Sequence, residues 1–110
     1  MKRLLLFVLL STSTNAAYSF HFSVAKLKTW CRSTSVIELN YCSSYISGVN
    51  DFYAALAGNK QKSFCIPEDA GLSLKKRKVV EYLDTVSTPQ DNAARHVYIG
   101  LQKAFPCAQQ

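Results

Sequence analysis

The chain has 110 residues, 48% of them hydrophobic and 18% charged, and its 13 basic and 7 acidic residues give a formal net charge of +6. A chain of this length forms one domain with a modest core, so a second domain is excluded. The positive charge is only a mild excess. It indicates acidic partners weakly, and no nucleic-acid partner is expected.

The N-terminal stretch MKRLLLFVLLSTSTNAA has the layout of a secretory signal peptide. A basic start precedes an apolar run, and small residues end the segment at Ala16 and Ala17. The apolar run is far shorter than the roughly 20 residues of a membrane-spanning helix. We therefore expect residues 1–16 to be removed and residues 17–110 to remain as one exported domain that inserts in no membrane. An N-terminal anchor or a buried strand is the alternative interpretation.

Apolar residues recur at helical spacing after residue 20, which predicts an all-α fold, a small bundle of about four helices. The first helix is expected in FSVAKLKTWC, residues 22–31. Ser35 and Glu38 then have the spacing of a capping box for a second helix. That helix is predicted to end where Gly58 and Asn59 follow, because both residues are typical just past a helix C-terminus.

The third and fourth helices are separated by the polar stretch DTVSTPQD. Ser73 is the predicted N-cap of the third helix. For the fourth helix, Thr88 is the predicted N-cap, Pro89 takes the first helical position and Asp91 lies in the first turn. Pro106 is expected to end this last helix.

Four cysteines in an exported chain favour two disulfides, because exported proteins fold in oxidising compartments. The first cysteine ends the first predicted helix and the second lies near the start of the next, so an antiparallel hairpin brings them together. The third precedes the third helix and the fourth follows the fourth helix, which again places both at one end. No C-x-x-C spacing supports zinc, so no metal site is expected. We favour the pairs Cys31–Cys42 and Cys65–Cys107, although four cysteines allow three pairings and the sequence leaves the choice open.

A glycine inside the second helix requires an explanation, because glycine costs about 1 kcal/mol relative to alanine in a helix interior. Gly48 shares one helical face with Tyr45 and Phe52, whose side chains would frame a notch at the glycine. The usual compensation is the close approach of another backbone. We therefore predict that another helix, from this chain or from a second copy, packs at Tyr45, Gly48 and Phe52.

CSSYISGVND, residues 42–51, is similar to the Cys-x-x-Tyr-aliphatic-x-Gly-aliphatic-x-Asp signature of the Rap/Tai family of type VI secretion immunity proteins. FCIP at residues 64–67 and AFPC at residues 104–107 resemble the other two landmarks of this family in the same order. EYLD, around Tyr82, lies where the family has a Tyr-Leu or Trp-Leu pair. Family members commonly carry a His-Pro pair soon afterwards, whereas this chain reads DTVSTP. The resemblance covers about residues 27–107.

The resemblance implies a periplasmic antidote. Such a protein is small, helical, disulfide-bearing and often homodimeric, and it binds a secreted peptidoglycan amidase before the enzyme damages the wall of the producing cell. No cofactor is expected. The sequence shows no Ser-His-Asp or Cys-His pattern of a catalytic site, so an enzyme is not expected either. Two other classes stay open: a small helical stress chaperone of the periplasm, and an envelope protein that shares only the fold.

The stretch DTVSTPQD, residues 84–91, is the candidate contact with the amidase, because an inhibitor of a cleft needs a narrow and well-positioned element. It is short and polar, and Pro89 limits its conformations. The alternative is a plain helix connection whose polar groups are occupied in capping. The basic run KKRK, residues 75–78, is the next candidate surface, and His96 is expected to be an exposed surface residue. The residues expected to contact the amidase are Val86, Ser87, Thr88, Gln90 and Asp91.

Overall fold

The structure is a computed structural model that describes residues 21–58, 60 and 62–108. The described ranges contain four helices and no named strand, which confirms the all-α prediction. The expected signal peptide, residues 1–16, lies outside the described residues, so its removal stays a prediction. The helices are α1 Val24–Cys31, α2 Val36–Ala57, α3 Leu72–Leu83 and α4 Ala93–Ala104.

The first two helices begin and end close to their local sequence signals. The Ser23 hydroxyl accepts a hydrogen bond from the Lys26 amide and caps α1. Ser35 occupies the N-cap position of α2, but its side chain makes no capping hydrogen bond, so the predicted capping box with Glu38 does not form through Ser35. Gly58 ends α2 as predicted, with a φ of 50° that glycine adopts without a Cβ clash.

Two predicted N-caps are wrong. Ser73 lies inside α3, because the helix begins earlier. The carbonyl oxygen of Gly71 already accepts hydrogen bonds from the amides of Leu74 and Lys75. Thr88 does not cap α4 either. Asn92 takes that position, and its side-chain oxygen accepts a hydrogen bond from the Arg95 amide at 3.2 Å.

Backbone pairing with the start of α1 explains why α4 begins late. The Val24 amide donates to the Asp91 carbonyl oxygen at 2.9 Å, and the Ala93 amide donates to the Phe22 carbonyl oxygen at 2.7 Å. An isolated antiparallel bridge lies between these two bonds. Pairing of this kind requires extended backbone, so Pro89 and Asp91 stay outside the helix that local propensity predicts for them.

The core is formed by apolar side chains from all four helices and from the segments that flank α3 and α4. The helix α3 packs against α4, α1 packs against α2, and α2 also contacts both α3 and α4. Full burial of a leucine or valine side chain contributes about 1.5–3 kcal/mol relative to leaving it exposed. The buried core residues are Val24, Leu27, Cys31, Cys42, Ile46, Val49, Phe64, Val79, Leu83, Ala93, Val97, Leu101 and Phe105.

Two disulfides connect the helices in the predicted pairs. Cys31 at the end of α1 is bonded to Cys42 in α2, with the Cα atoms 5.0 Å apart. Cys65 before α3 is bonded to Cys107 after α4, with the Cα atoms 4.8 Å apart. One bridge therefore closes the α1–α2 hairpin, and the other joins the two outer ends of the α3–α4 hairpin.

Gly48 and Gly100 both lie in helix interiors, but their surroundings are opposite. A Cβ atom placed on Gly48 would meet no other part of the described chain within 4 Å, and the residue is exposed. No helix of the described chain packs on Gly48 itself, although Ala94 of α4 borders the same depression, so at Gly48 the prediction now concerns a second copy. A Cβ on Gly100 would lie 3.0 Å from Cδ1 of Tyr82. Gly100, which the sequence did not single out, permits the close packing of α4 on α3.

Candidate functional site

The α3–α4 loop, residues 84–91, lies against the segment that leads into α1. The Ala25 amide donates a hydrogen bond to the Pro89 carbonyl oxygen at 2.9 Å. The ring nitrogen Nε2 of His21 lies 2.7 Å from the Gln90 carbonyl oxygen and donates to it, because a carbonyl oxygen only accepts. These bonds hold the second half of the loop against the N-terminal end of α1.

The first half of the loop is held by an ion pair and by apolar packing. The Asp84 carboxylate lies 3.6 Å from the Lys28 ammonium and also pairs with Arg32, both on the α1 side. Exposed pairs of this kind contribute about 0–1 kcal/mol, so they orient the chain more than they stabilise it. Val86 is half-buried and packs against the core. Ser87 is exposed between these two fixed halves.

A chain of side-chain hydrogen bonds runs from the loop through α4 to α3. The Thr88 hydroxyl donates to Oδ2 of Asp91 at 2.5 Å, and Nε2 of His96 lies 3.0 Å from the same oxygen. The other ring nitrogen, Nδ1 of His96, lies 3.0 Å from the hydroxyl oxygen of Tyr82. Because a carboxylate only accepts, Nε2 donates to Asp91, and in the neutral imidazole Nδ1 then accepts from Tyr82. We call these four residues the loop network.

The position of His96 differs from the sequence-based expectation. Its side chain is only 12% exposed, so the expectation of an exposed surface histidine is wrong. The ring is enclosed because it lies between the loop and α3, with the rings of Tyr82 and His96 stacked at a centroid distance of 5.9 Å. A histidine with partners on both ring nitrogens is fixed in tautomer and in orientation.

The loop network lowers the pKa of the Asp91 carboxyl below its ordinary value. The largest cause is the hydrogen bond from Thr88, followed by the hydrogen bond from His96. Partial desolvation opposes this effect, and the charge of Arg95, together with that of His96 whenever its ring is protonated, adds to it. Asp91 is therefore ionised at neutral pH and accepts both hydrogen bonds.

A second surface, which we call the α2 face, exposes large apolar side chains. Gly48 lies on it beside Tyr45 and Phe52, in a shallow depression of about 370 Å³. Tyr45 is partly buried, and this burial raises the pKa of its hydroxyl. The sequence of α2 contains two acidic residues and no lysine or arginine, so little charge opposes an apolar contact. The large apolar residues exposed on α2, by 50% to 71%, are Val36, Ile37, Tyr41, Phe52 and Leu56.

Residues 23–107 match the family model described as Rap1a immunity proteins. The chain belongs to this family. The match spans α1 to α4, both disulfides and the α3–α4 loop, and it confirms the resemblance to the Rap/Tai immunity proteins. No curated protein matched the chain. Membership supports an immunity role for this Rap1a family member.

In this Rap1a family member, the five residues expected to contact an amidase lie together in the loop but present different groups. Ser87 and Gln90 are exposed, whereas Val86 packs against the core. The Thr88 hydroxyl and the Asp91 carboxylate are hydrogen-bonded inside the loop network. Ser87 and Gln90 are therefore the residues of the predicted set whose polar side chains lie outside the network.

Sequence reasoning missed two members of the loop network, His96 and Tyr82. The predicted helix start placed Asp91 inside the fourth helix, where residues five apart point to different sides and do not meet. In the structure Asp91 precedes the helix, so its carboxylate can turn towards His96. A signal was present in the sequence, since Tyr82 belongs to the EYLD motif, but no spacing rule linked it to the loop.

The basic run at residues 75–78 lies in the second turn of α3. Lys76 and Arg77 line a depression of about 350 Å³ together with Glu81 and Asp84. Because both signs of charge occur in this depression, the surface of the Rap1a family member is not uniformly cationic there. It remains the second candidate contact surface, after the loop.

The part of the chain that the structure describes holds no group of three or more histidine, cysteine, aspartate or glutamate residues placed to bind a metal ion. No helix in this part is both long enough and apolar enough to cross a membrane.

Proposed function

We propose that this protein is a periplasmic immunity protein that binds one type VI secreted peptidoglycan amidase and blocks the active site of that enzyme. The observation that carries the proposal is the match to an immunity family over residues 23–107, on a domain that presents a loop held at both ends. The signal-like N-terminus supports a periplasmic location, and the resemblance of the cysteine motifs supports an amidase as the partner.

The α3–α4 loop is suited to enter a catalytic cleft because its conformation is set before binding. Ordering a flexible backbone costs about 1–2 kcal/mol per residue, and a loop that is already ordered avoids most of this cost. Pro89 fixes one φ angle, and the carbonyl groups of Pro89 and Gln90 are both hydrogen-bonded to the α1 side. Ser87 and Gln90 then offer their side chains to a partner.

The proposal assigns inhibition by occupancy and no chemistry to this chain. The cysteines form two disulfides and are not nucleophiles. His96 is only 12% exposed, and both of its ring nitrogens are hydrogen-bonded within the loop network, which supports a structural role for this histidine.

The test takes as candidate partner a secreted amidase encoded beside the gene of this protein, and follows peptidoglycan cleavage by that enzyme with and without the purified protein. We expect cleavage to stop at a one-to-one ratio. Ser87→Trp places a bulky group at the exposed point of the loop, and overpacking of about 1–3 kcal/mol should weaken inhibition roughly tenfold or more. Unchanged cleavage in an excess of wild-type protein would contradict the proposed amidase.

Ser63→Trp is the matched control for this experiment. Ser63 is also exposed, and the Cys65 amide that follows it donates to the Phe105 carbonyl oxygen at 2.8 Å, at the end of α4 that is remote from the loop. We expect this variant to inhibit as wild type does. If Ser63→Trp and Ser87→Trp inhibit equally well, the loop is not the contact, and variants of Lys76 and Arg77 test the second candidate surface.

We also propose that the protein is a homodimer in which the α2 faces of two copies meet. Ile37, Tyr41, Gly48 and Phe52 lie within one side of the helix, and Gly48 leaves room at its centre. Burial of these exposed apolar side chains in an interface contributes a favourable free energy of about 25 cal/mol for each Å² removed from water. The support is the exposed apolar area together with the open glycine.

An antiparallel crossing at Gly48 would set large residues opposite small ones. Tyr41 precedes Gly48 by seven residues and Ala55 follows it by seven, so these two would face each other across the seam. Phe52 and Ser44 are related in the same way by four residues. We expect Phe52→Lys to yield monomers in sedimentation velocity, whereas a wild-type protein that stays monomeric at high concentration would contradict the dimer.

A further inference from the structure

The loop network connects the candidate contact loop to the rigid part of the domain. Thr88 and Asp91 belong to the loop, His96 lies in the first turn of α4, and Tyr82 lies in the last turn of α3. We infer that His96 and Tyr82 are positioning residues, which set the conformation in which the α3–α4 loop meets its partner. This inference rests on the proposed function, in which the loop is the contact surface.

The packing of α4 on α3 fixes the position of Tyr82, the residue at the α3 end of the loop network. Gly100 of α4 allows the Tyr82 ring to lie close, since a Cβ at that position would be 3.0 Å from Cδ1 of the ring. The Lys103 ammonium lies 5.1 Å from the centre of the same ring. The ring is therefore held by α4, and its hydroxyl is directed at Nδ1 of His96.

His96 transmits this fixed position to the loop. With Nδ1 accepting from Tyr82, the proton of the neutral ring is on Nε2, which donates to the Asp91 carboxylate at 3.0 Å. Asp91 also accepts from the Thr88 hydroxyl, and its own amide donates to the Thr88 carbonyl oxygen at 3.1 Å. The turn between these two residues, which contains Gln90, is therefore oriented by His96.

The experiment uses three variants of the intact disulfide-bonded protein. Tyr82→Phe removes only the hydroxyl that directs Nδ1, His96→Phe removes both nitrogens, and His96→Gln keeps a donor near the position of Nε2. Tyr98→Phe is the matched control, because it removes an α4 hydroxyl that bonds Gln102 at 3.0 Å and does not belong to the network.

Three measurements separate positioning from simple stability. Hydrogen exchange of the loop amides should become about tenfold faster in Tyr82→Phe and in His96→Phe, and return towards wild type in His96→Gln. The nitrogen chemical shifts of His96 should report a proton on Nε2 in the wild type and a changed Nδ1 shift in Tyr82→Phe. Affinity for the amidase should fall about tenfold in parallel with loop exchange, whereas Tyr98→Phe leaves all three readouts unchanged.

The inference and the proposed function fail in different ways. Loop exchange and His96 shifts that are unchanged in Tyr82→Phe would overturn the inference, whatever the amidase does. Faster loop exchange with undiminished inhibition would keep His96 and Tyr82 as the residues that position the loop, and would instead count against the loop as the contact surface. If His96→Phe does not fold, Tyr82→Phe still decides, because it removes one oxygen atom at a part-buried site.

Discussion

Replacement of Gly48 by alanine should stabilise the folded monomer. Gly48 is in the interior of α2, its φ angle is not positive, and a Cβ there would meet no other part of the described chain within 4 Å. Alanine in a helix interior is favoured over glycine by about 1 kcal/mol, and nothing in the described surroundings opposes this gain. For a domain of this size, about 1 kcal/mol raises the melting temperature by roughly 4–8 °C.

Replacement of Gly100 by alanine should have the opposite effect and destabilise the folded protein. A Cβ at Gly100 would lie 3.0 Å from Cδ1 and 3.4 Å from Cβ of Tyr82, so the Tyr82 side chain must shift by a few tenths of an ångström while its hydroxyl is held by His96. Overpacking of this kind typically costs about 1–3 kcal/mol, which exceeds the gain in helix propensity. The two substitutions are chemically identical, and only their tertiary surroundings give them different signs.

Urea unfolding at low protein concentration measures the effect on the monomer, and sedimentation velocity at high concentration measures self-association. Gly48→Ala should raise the unfolding midpoint at low concentration without changing the slope, and should weaken the proposed α2 seam at high concentration because the helices can no longer approach as closely. A Gly48→Ala protein that is no more stable than wild type at low concentration would refute the reasoning that Gly48 faces open space in the folded chain.

Three further predictions concern the disulfides and the acid response. Removal of Cys65–Cys107 by paired alanine substitutions should destabilise the domain by roughly 1 kcal/mol more than removal of Cys31–Cys42. The reason is that the bridges close loops with sequence separations of 42 and 11, and a longer closed loop restricts the unfolded chain more. Equal unfolding midpoints for the two variants would contradict this order. Thiol titration of the denatured, periplasm-made protein should find no free thiol, and more than one reactive thiol per chain would contradict the two-bridge structure. The pKa of Asp91 is lowered in the folded state. Its contribution to the stability of the folded loop is therefore complete above the ordinary aspartate pKa of about 3.9, and it is lost only as the pH falls through the lower pKa of the folded state. Loop amide exchange, corrected for its intrinsic pH dependence, should thus stay constant from neutral pH to about pH 4 and rise below it. Loosening between pH 5 and pH 7 with exposure of apolar surface would instead favour the alternative of a stress chaperone, since a chaperone that is activated by acid exposes apolar surface as its carboxylates become protonated.

The sequence by itself determined the features that depend on short-range order along the chain. Helical periodicity gave four helices, and Gly58 ended α2 where predicted because its backbone preference is local. The order of helices and cysteines favoured the disulfide pairs that the structure contains, since antiparallel neighbours bring the ends of consecutive helices together, but it left the choice among three pairings open. The ordered motifs that resemble the immunity family were likewise readable from residue identity and order, and the family match over residues 23–107 confirms them.

The tertiary structure alone decided the partners of the loop's polar groups and the surroundings of the two glycines inside helices. Pairing with the start of α1 kept Asp91 out of α4, and this displacement brought its carboxylate to His96. The same packing made Gly100 the glycine of close approach and left Gly48 exposed, although both lie at helical positions with equal local preferences. Contacts between residues distant in sequence compete with local propensities that are worth only about 1 kcal/mol per residue, so the fold selects among helix starts, partners and exposures that the chain alone leaves nearly equal in free energy.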